Sequence, residues 1–265
     1  MGVLGIFFLL VWITVIAALT SHDRHSRARL LAAPADEDFK NALGSQDHAY
    51  LARCYRLALS RSLPSRDEQL IRINLSCALN GLGEHPQALE ELDRVQLDEL
   101  QPAEVALWLN NRAYTLAFLG RSADALDNLK DATDLLTGEE GGSHDPMLLS
   151  CISGTRGIAL YHGGDLDGAE EALLSALRQE EESVTLRFDP ELQVDPARTA
   201  ERWYWLGEIA RSRGQASEAR RRYERATHYA GTEYATRASR RISPLLEAGA
   251  PRALLTDGTA PAKAS

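Results

Sequence analysis

The sequence feature that most constrains the fold is the stretch 202–226, in which large and small residues recur at fixed offsets. Measured from Trp203, the offsets 0, 3, 4, 11, 16, 20 and 23 hold Trp203, Leu206, Gly207, Gly214, Ala219, Tyr223 and Ala226. Offsets of three and four residues place side chains on one face of a helix. The pattern therefore predicts two helices joined at Gly214, with small residues letting the helices touch and large residues filling the gaps.

The same unit recurs earlier in the chain with a fixed internal spacing. An opening proline is followed by a turn glycine 18 residues later in three places, at Pro102 and Gly120, Pro146 and Gly164, and Pro196 and Gly214. Proline fits the first turn of a helix and glycine fits the turn that ends one. From Gly83 onward, the turn glycines are 37, 44 and 50 residues apart. The spacing thus predicts repeats with a constant first helix and loops of unequal length.

The residues of 202–226 resemble the tetratricopeptide repeat (TPR) signature, W-x2-L-G followed by Ala, Phe or Tyr, and Ala on the second helix. The resemblance implies an all-α fold, a right-handed superhelical array of helix-turn-helix repeats within 39–247. We expect repeats near 39–62 (degenerate), 65–100, 101–137, 145–182 and 195–230. A capping helix at 232–246 is expected to cover the last repeat. The Ala/Gly/Pro-rich tail 248–265 is predicted to be disordered.

The amino-terminal segment predicts a membrane anchor at 1–20. Residues 2–19 carry no charged side chain and would span roughly 27 Å as a helix, close to the thickness of a bilayer core. A cleaved signal peptide is the alternative, but it would carry a basic segment before a shorter apolar core. Arg24, Arg27 and Arg29 follow in the juxtamembrane linker 21–38. The positive-inside rule therefore places the array in the cytoplasm, with the N-terminus outside, at what we expect to be a bacterial inner membrane.

The chain shows no motif for catalysis, cofactor binding or metal binding, so we expect a protein that is not an enzyme. Its net charge of −9 argues against nucleic acid as the main partner. The histidines lack metal-ligand spacing. Cys54, Cys77 and Cys151 are too few and too far apart for a disulfide framework and fall in apolar helical patterns. They are predicted to be small buried thiols.

The TPR resemblance also implies a groove, lined by the first helix of each repeat, that holds an extended peptide or a partner helix. Carrying the groove positions over gives Asn110, Tyr114, Phe118, Ile158, Tyr161, His162, Tyr204, Glu208 and Arg211. Aromatic residues supply contact area, and asparagine can bond an extended backbone. The alternative is that several of these rings pack between adjacent first helices. The cations with which some TPR proteins hold a terminal carboxylate are absent, so no such clamp is expected.

These observations predict a membrane-tethered scaffold or assembly adaptor whose partners are other proteins. One alternative keeps the fold but places it outside the cytoplasm, as an envelope assembly factor or chaperone. Another assigns RNA or anionic lipid binding to the arginine-rich stretch 198–241. Self-association of the array is left open.

Overall fold

The computed structural model describes residues 41–42, 46–138, 145–186 and 195–249, with the backbone alone at 183–186 and 244–249. These ranges are helical and contain no β-strand, which confirms the predicted all-α class. The helices are α1 (His48–Leu59), α2 (Ser65–Gly81), α3 (His85–Asp93), α4 (Pro102–Phe118), α5 (Ser122–Thr137), α6 (Pro146–Gly163), α7 (Leu166–Leu186), α8 (Pro196–Ser212), α9 (Ala216–Thr227) and α10 (Glu233–Gly249), with a 3₁₀ turn at Leu97–Glu99.

The chain divides into two compact units, Met1–Pro196 (unit 1) and Ala197–Ser265 (unit 2). Within the described residues, no helix combines the length and apolarity needed to cross a bilayer. The predicted anchor 1–20, the linker 21–38 and most of the tail lie outside the described residues. The capping helix runs to Gly249, three residues past its predicted end, because sequence constrains a helix terminus less than its body.

The opening prolines begin helices as predicted. Pro102, Pro146 and Pro196 are the first residues of α4, α6 and α8. A proline costs nothing there because the first backbone N–H groups of a helix have no partner within it. Asp145 caps α6, where its carboxylate accepts hydrogen bonds from the backbone N–H groups of Met147 and Leu148 at 2.9 and 3.4 Å.

The turn glycines also lie where the spacing predicts them. Gly83, Gly120, Gly164 and Gly214 have φ of 76, 76, 88 and 73°, a left-handed conformation that residues with a Cβ rarely adopt. In each turn, the next residue donates its N–H to the carbonyl five residues earlier, at 2.9–3.0 Å. This bond is characteristic of the Schellman motif that ends helices. The repeated turn makes the two helices of each repeat antiparallel neighbours.

Within unit 1, the paired helices α2 and α3, α4 and α5, and α6 and α7 pack against each other. The contacts join small residues to large ones. A Cβ on Gly157 of α6 would lie only 2.5 Å from the Leu173 side chain of α7. In the preceding repeat, Ala113 of α4 and Leu129 of α5 are both completely buried. This packing uses one face of each first helix and leaves a second face for other contacts.

Candidate functional site

Helix α4 carries two adjacent stripes of side chains. One stripe is buried and contains Ala106, Leu109, Ala113 and Leu116. The other contains Asn110, Tyr114 and Phe118, which are spaced four residues apart and so share a face. Tyr114 and Phe118 are half-buried. This second stripe is therefore covered only in part within unit 1.

Phe118 is the centre of a row of five aromatic rings. Its ring stacks on that of His85, with centroids 4.6 Å apart and planes 17° from parallel. It also contacts Tyr114 at 4.8 Å and His162 of α6 at 4.9 Å. Tyr161 follows, with its ring 5.5 Å from His162 and edge-on to it. We term His85, Tyr114, Phe118, Tyr161 and His162 the aromatic row.

The aromatic row unites four predicted residues from two repeats and adds one that the sequence analysis missed. His85 escaped notice because it begins the second helix of a repeat, whereas the groove positions belong to first helices. The rings do pack on one another between helices, as the alternative interpretation held. They also keep exposed surface, since Tyr114, Phe118 and Tyr161 are half-buried and His162 is exposed. The predicted Ile158, only 2% exposed, belongs to the core beneath them.

A chain of buried polar groups holds His85 in the row. Its Nδ1 lies 3.0 Å from the Asn80 side-chain oxygen, and because an amide oxygen only accepts, Nδ1 carries the proton. The Asn80 amide donates to the Thr115 hydroxyl at 2.9 Å. Thr115 in turn donates to the backbone carbonyl of Asn111, also at 2.9 Å. These bonds fix the His85 ring against α4.

Asn110 has an unusual environment among the candidates. It is 7% exposed, and its side-chain oxygen has no hydrogen-bond partner among the residues that the structure describes. Its amide nitrogen makes one long bond, 3.4 Å, to the side-chain oxygen of Asn111. Asn111 in turn donates to the Cys77 sulfur at 3.0 Å. A buried acceptor without a donor costs about 1–3 kcal/mol, so Asn110 would gain from a ligand N–H.

The residues of the aromatic row and the other candidates of unit 1 are uncharged, although unit 1 is strongly acidic. Unit 1 has 31 Asp and Glu residues against 16 Lys and Arg, but none of its candidate residues bears a formal charge at neutral pH. Although His162 keeps exposed surface, partial desolvation of its ring, reinforced by the neighbouring His85, lowers the pKa of His162 below its ordinary value. Since that value is about 6.5, His162 is neutral at pH 7. The face is therefore suited to uncharged ligand groups.

In unit 2, the three candidates lie together in a buried network. The Glu208 carboxylate accepts hydrogen bonds from Tyr223 at 2.7 Å and Arg211 at 2.7 Å, and it forms an ion pair with Arg241 at 2.8 Å. Burial alone would raise the pKa of Glu208, but these donors outweigh it, and the pKa is lowered. Tyr204 is 7% exposed and packs on Tyr223 at 5.8 Å. The sequence analysis did not predict Tyr223 and Arg241 as partners of Glu208. Their contacts with Glu208 connect α8 to α9 and α10.

The arginine cluster of α9 is largely paired. Arg220 reaches Glu224 at 3.4 Å, and both Arg221 and Arg222 bind Glu218. Such pairs four or fewer residues apart stabilise a helix modestly. These ion pairs stabilise helix α9, and this disfavours the hypothesis that the arginine cluster is a polyanion-binding site.

The cysteines and potential metal ligands add no further site. Cys54 and Cys151 are half-buried, but Cys77 is exposed, so the prediction of a buried thiol is wrong for Cys77. The Cys77 side chain on α2 contacts α4 rather than α3, because its sulfur accepts a hydrogen bond from Asn111. Across the described ranges, no group of three or more His, Cys, Asp or Glu side chains is placed to hold a metal ion.

Comparisons with known proteins bear on the fold. No protein-family model and no curated protein sequence matches the chain. The crystal structure of Bacillus thuringiensis PlcR in complex with the peptide PapR7 and DNA is similar, with a TM-score of 0.58 at 12% identity over 85% of this chain and 74% of that chain. A Podosopora anserina putative kinesin light chain with nearly identical TPR-like repeats matches at a TM-score of 0.43 and 16% identity over 77% of this chain and 95% of that chain, a score too low to carry an argument.

The likeness to PlcR, at 12% identity, concerns the fold alone. It agrees with the paired antiparallel helices, the repeated glycine turns and the contact of Gly157 with Leu173. The chain therefore has a TPR-like helical-repeat fold.

Proposed function

We propose that this protein is a membrane-tethered interaction scaffold that binds an extended segment of a partner protein along the aromatic row. The observation that carries the proposal is the buried Asn110 oxygen, to which no described residue donates and which lies on the same helical stripe as the partly exposed rings of Tyr114 and Phe118. An extended peptide offers a backbone N–H at regular intervals. One such group would satisfy Asn110 while the neighbouring side chain packs on the rings.

The uncharged face defines the chemistry of the bound segment. A charged side chain placed against the aromatic row would be desolvated without a counter-ion, which is unfavourable. The segment is therefore apolar or polar but neutral where it meets Tyr114 and Phe118. PlcR, which shares the fold, is known in complex with the peptide PapR7, and this supports a peptide ligand for the present fold without identifying it.

A crosslinking pull-down from membranes tests the proposal. It compares the intact chain with the double variant Asn110→Ala, Tyr114→Ala, after circular dichroism shows that the variant folds. Leu135→Ala is the matched control, because Leu135 is 38% exposed on α5, the second helix of the same repeat. We expect specific partners to be lost in the double variant and kept in the control. Identical partner sets for all three proteins would refute the assignment.

The tether belongs to the proposal and has its own test. We propose that the apolar segment 2–19 is an uncleaved anchor and that the array lies in the cytoplasm. Deleting 2–19 should release the chain from alkaline-washed membranes into the soluble fraction. Protease added to spheroplasts should leave the array intact until the membrane is permeabilised. Digestion of the array in intact spheroplasts would favour the extracytoplasmic alternative instead.

A further inference from the structure

Unit 1 also contains a cleft that shares no residue with the aromatic row. It has a volume of about 620 Å³ and is lined by α6 and α7, with Thr133 contributed by α5. Clefts of roughly 300–1,000 Å³ are typical of ligand-binding sites. The size of this one therefore warrants asking what could occupy it.

The cleft is long and mostly apolar. On α6 the lining begins at Pro146, and its leucine and isoleucine side chains extend from Leu149 to Leu160, 11 residues or about 16 Å along a helix axis. Ile152 and Ala172 contribute further apolar surface. An elongated apolar trough between two helices matches the shape of a third helix of about three turns, whose ~11 residues have the same length.

One cationic side chain, Arg156, lines the cleft. The side chain is half-buried. It makes no ion pair or hydrogen bond to any residue that the structure describes, unlike Arg72 and Arg112 of the same unit. Glu171 and Glu182 also line the cleft, but neither lies within ion-pair distance of Arg156. A half-buried guanidinium with no counter-ion in the described part of the chain would gain from a carboxylate, which can bind its planar fork through two hydrogen bonds.

The uncharged polar side chains that line the cleft already make hydrogen bonds. Ser153 donates to the Gln179 side-chain oxygen at 3.0 Å, and the Gln179 amide donates to Ser175 at 3.3 Å. Arg156 therefore determines which ligand the cleft prefers. The exposed carboxylates of Glu171 and Glu182 would repel a ligand with several acidic groups. The ligand that fits has one central carboxylate and flanks that are neutral or basic.

We propose that this cleft binds an amphipathic helix of about three turns from a partner protein, with a single central carboxylate paired to Arg156. The apolar stripe of that helix packs on Leu149, Leu160 and Ala172. Because the cleft and the aromatic row have no residue in common, this interaction is independent of the proposed function. A scaffold with both would hold two partner segments at once.

Three synthetic helical peptides test the proposal. They share a leucine stripe and lysine flanks and differ only in the central residue, which is Glu, Gln or Lys. Binding to the full-length protein in nanodiscs is measured by fluorescence anisotropy. We expect the Glu peptide to bind at least about tenfold more tightly than the Gln peptide, since a charged hydrogen bond is worth ~1.5–3 kcal/mol. The Lys peptide should bind most weakly. Equal affinities for the three peptides, or no binding, would overturn the proposal.

Variants of the protein locate the effect. Arg156→Gln should abolish the preference for Glu, and Arg156→Glu should reverse it in favour of Lys. Arg178→Gln is the matched control, because Arg178 is exposed on α7 and does not line the cleft. The variant Asn110→Ala, Tyr114→Ala should bind the Glu peptide normally. Loss of binding in that variant, or an equal effect of Arg178→Gln, would overturn the assignment to this cleft.

Discussion

Gly207 of α8 and Tyr223 of α9 lie in direct contact, and a Cβ on Gly207 would be only 2.5 Å from the ring of Tyr223. Tyr223 is completely buried, and its hydroxyl donates to Glu208 at 2.7 Å. The glycine therefore makes room for a ring that both fills the helix interface and satisfies a buried carboxylate. In unit 1, Gly157 likewise makes room for a large side chain, that of Leu173.

We expect Gly207→Ala to destabilise unit 2 by about 1–3 kcal/mol, because the new methyl group overlaps the Tyr223 ring and the helices must separate. Urea unfolding followed by tryptophan fluorescence measures the change, since Trp203 and Trp205 lie on the same helix. Ser212→Ala, at an exposed position of α8, should change the stability by less than about 0.5 kcal/mol. Equal stability of the two variants would contradict the contact.

Glu208→Gln should lower the stability of unit 2 by about 2 kcal/mol at pH 7. This is less than for a fully buried pair, because Arg211 and Arg241 are 44% and 47% exposed. The measurement is the free energy of urea unfolding.

The pH dependence of stability gives a separate check on Glu208. Because its folded pKa is lowered, its contribution is fully present above the unfolded pKa of about 4.3. The contribution is lost as the pH falls through the folded pKa. Glu208→Gln should therefore flatten the fall in stability between neutral pH and acid. An unchanged pH profile would show that Glu208 is not the buried acceptor described above.

The residues around Glu208 show which contacts could not be predicted from the sequence alone. The opening prolines, the turn glycines and the placing of small and large residues between paired helices followed from spacing, because each depends on residues within one repeat. Arg241 is 33 residues from Glu208, and its salt bridge depends on how α10 folds back. His85 likewise joins Phe118 from a different repeat. The burial of Asn110 could not be predicted, because no sequence pattern distinguishes a buried asparagine at a groove position from an exposed one.

Gly164→Ala should cost about 1–2 kcal/mol, the penalty for a Cβ in the left-handed region. The φ of Gly164 is 88°, and no atom lies within 4 Å of the added Cβ, so backbone strain is the cause rather than a clash. Gly164→Asn should cost less, because asparagine tolerates this conformation better. Thermal unfolding of the three proteins measures the order, and an Ala variant as stable as the Asn variant would contradict it.

His162 should titrate below pH 6.5 in an NMR pH titration of its ring protons, because burial and the nearby His85 disfavour its charged form. His85→Gln should raise the midpoint toward the ordinary value without restoring it, since burial is the larger cause. The depressed pKa also means that His162 adds no pH dependence to stability above about pH 6.5 and lowers the stability as the pH falls from there through the folded pKa. A midpoint unaffected by His85→Gln would argue against the aromatic row.

The measurement that most directly tests the binding face is site-specific photocrosslinking in intact cells. A photoreactive phenylalanine analogue replaces Tyr114 on the aromatic row in one strain and Leu135 on α5 in another. The account predicts a discrete crosslinked partner from position 114, lost on adding Asn110→Ala, and none from position 135. Crosslinks from position 135 alone, or crosslinks from 114 that persist without the Asn110 side chain, would contradict the claim that this face holds the partner.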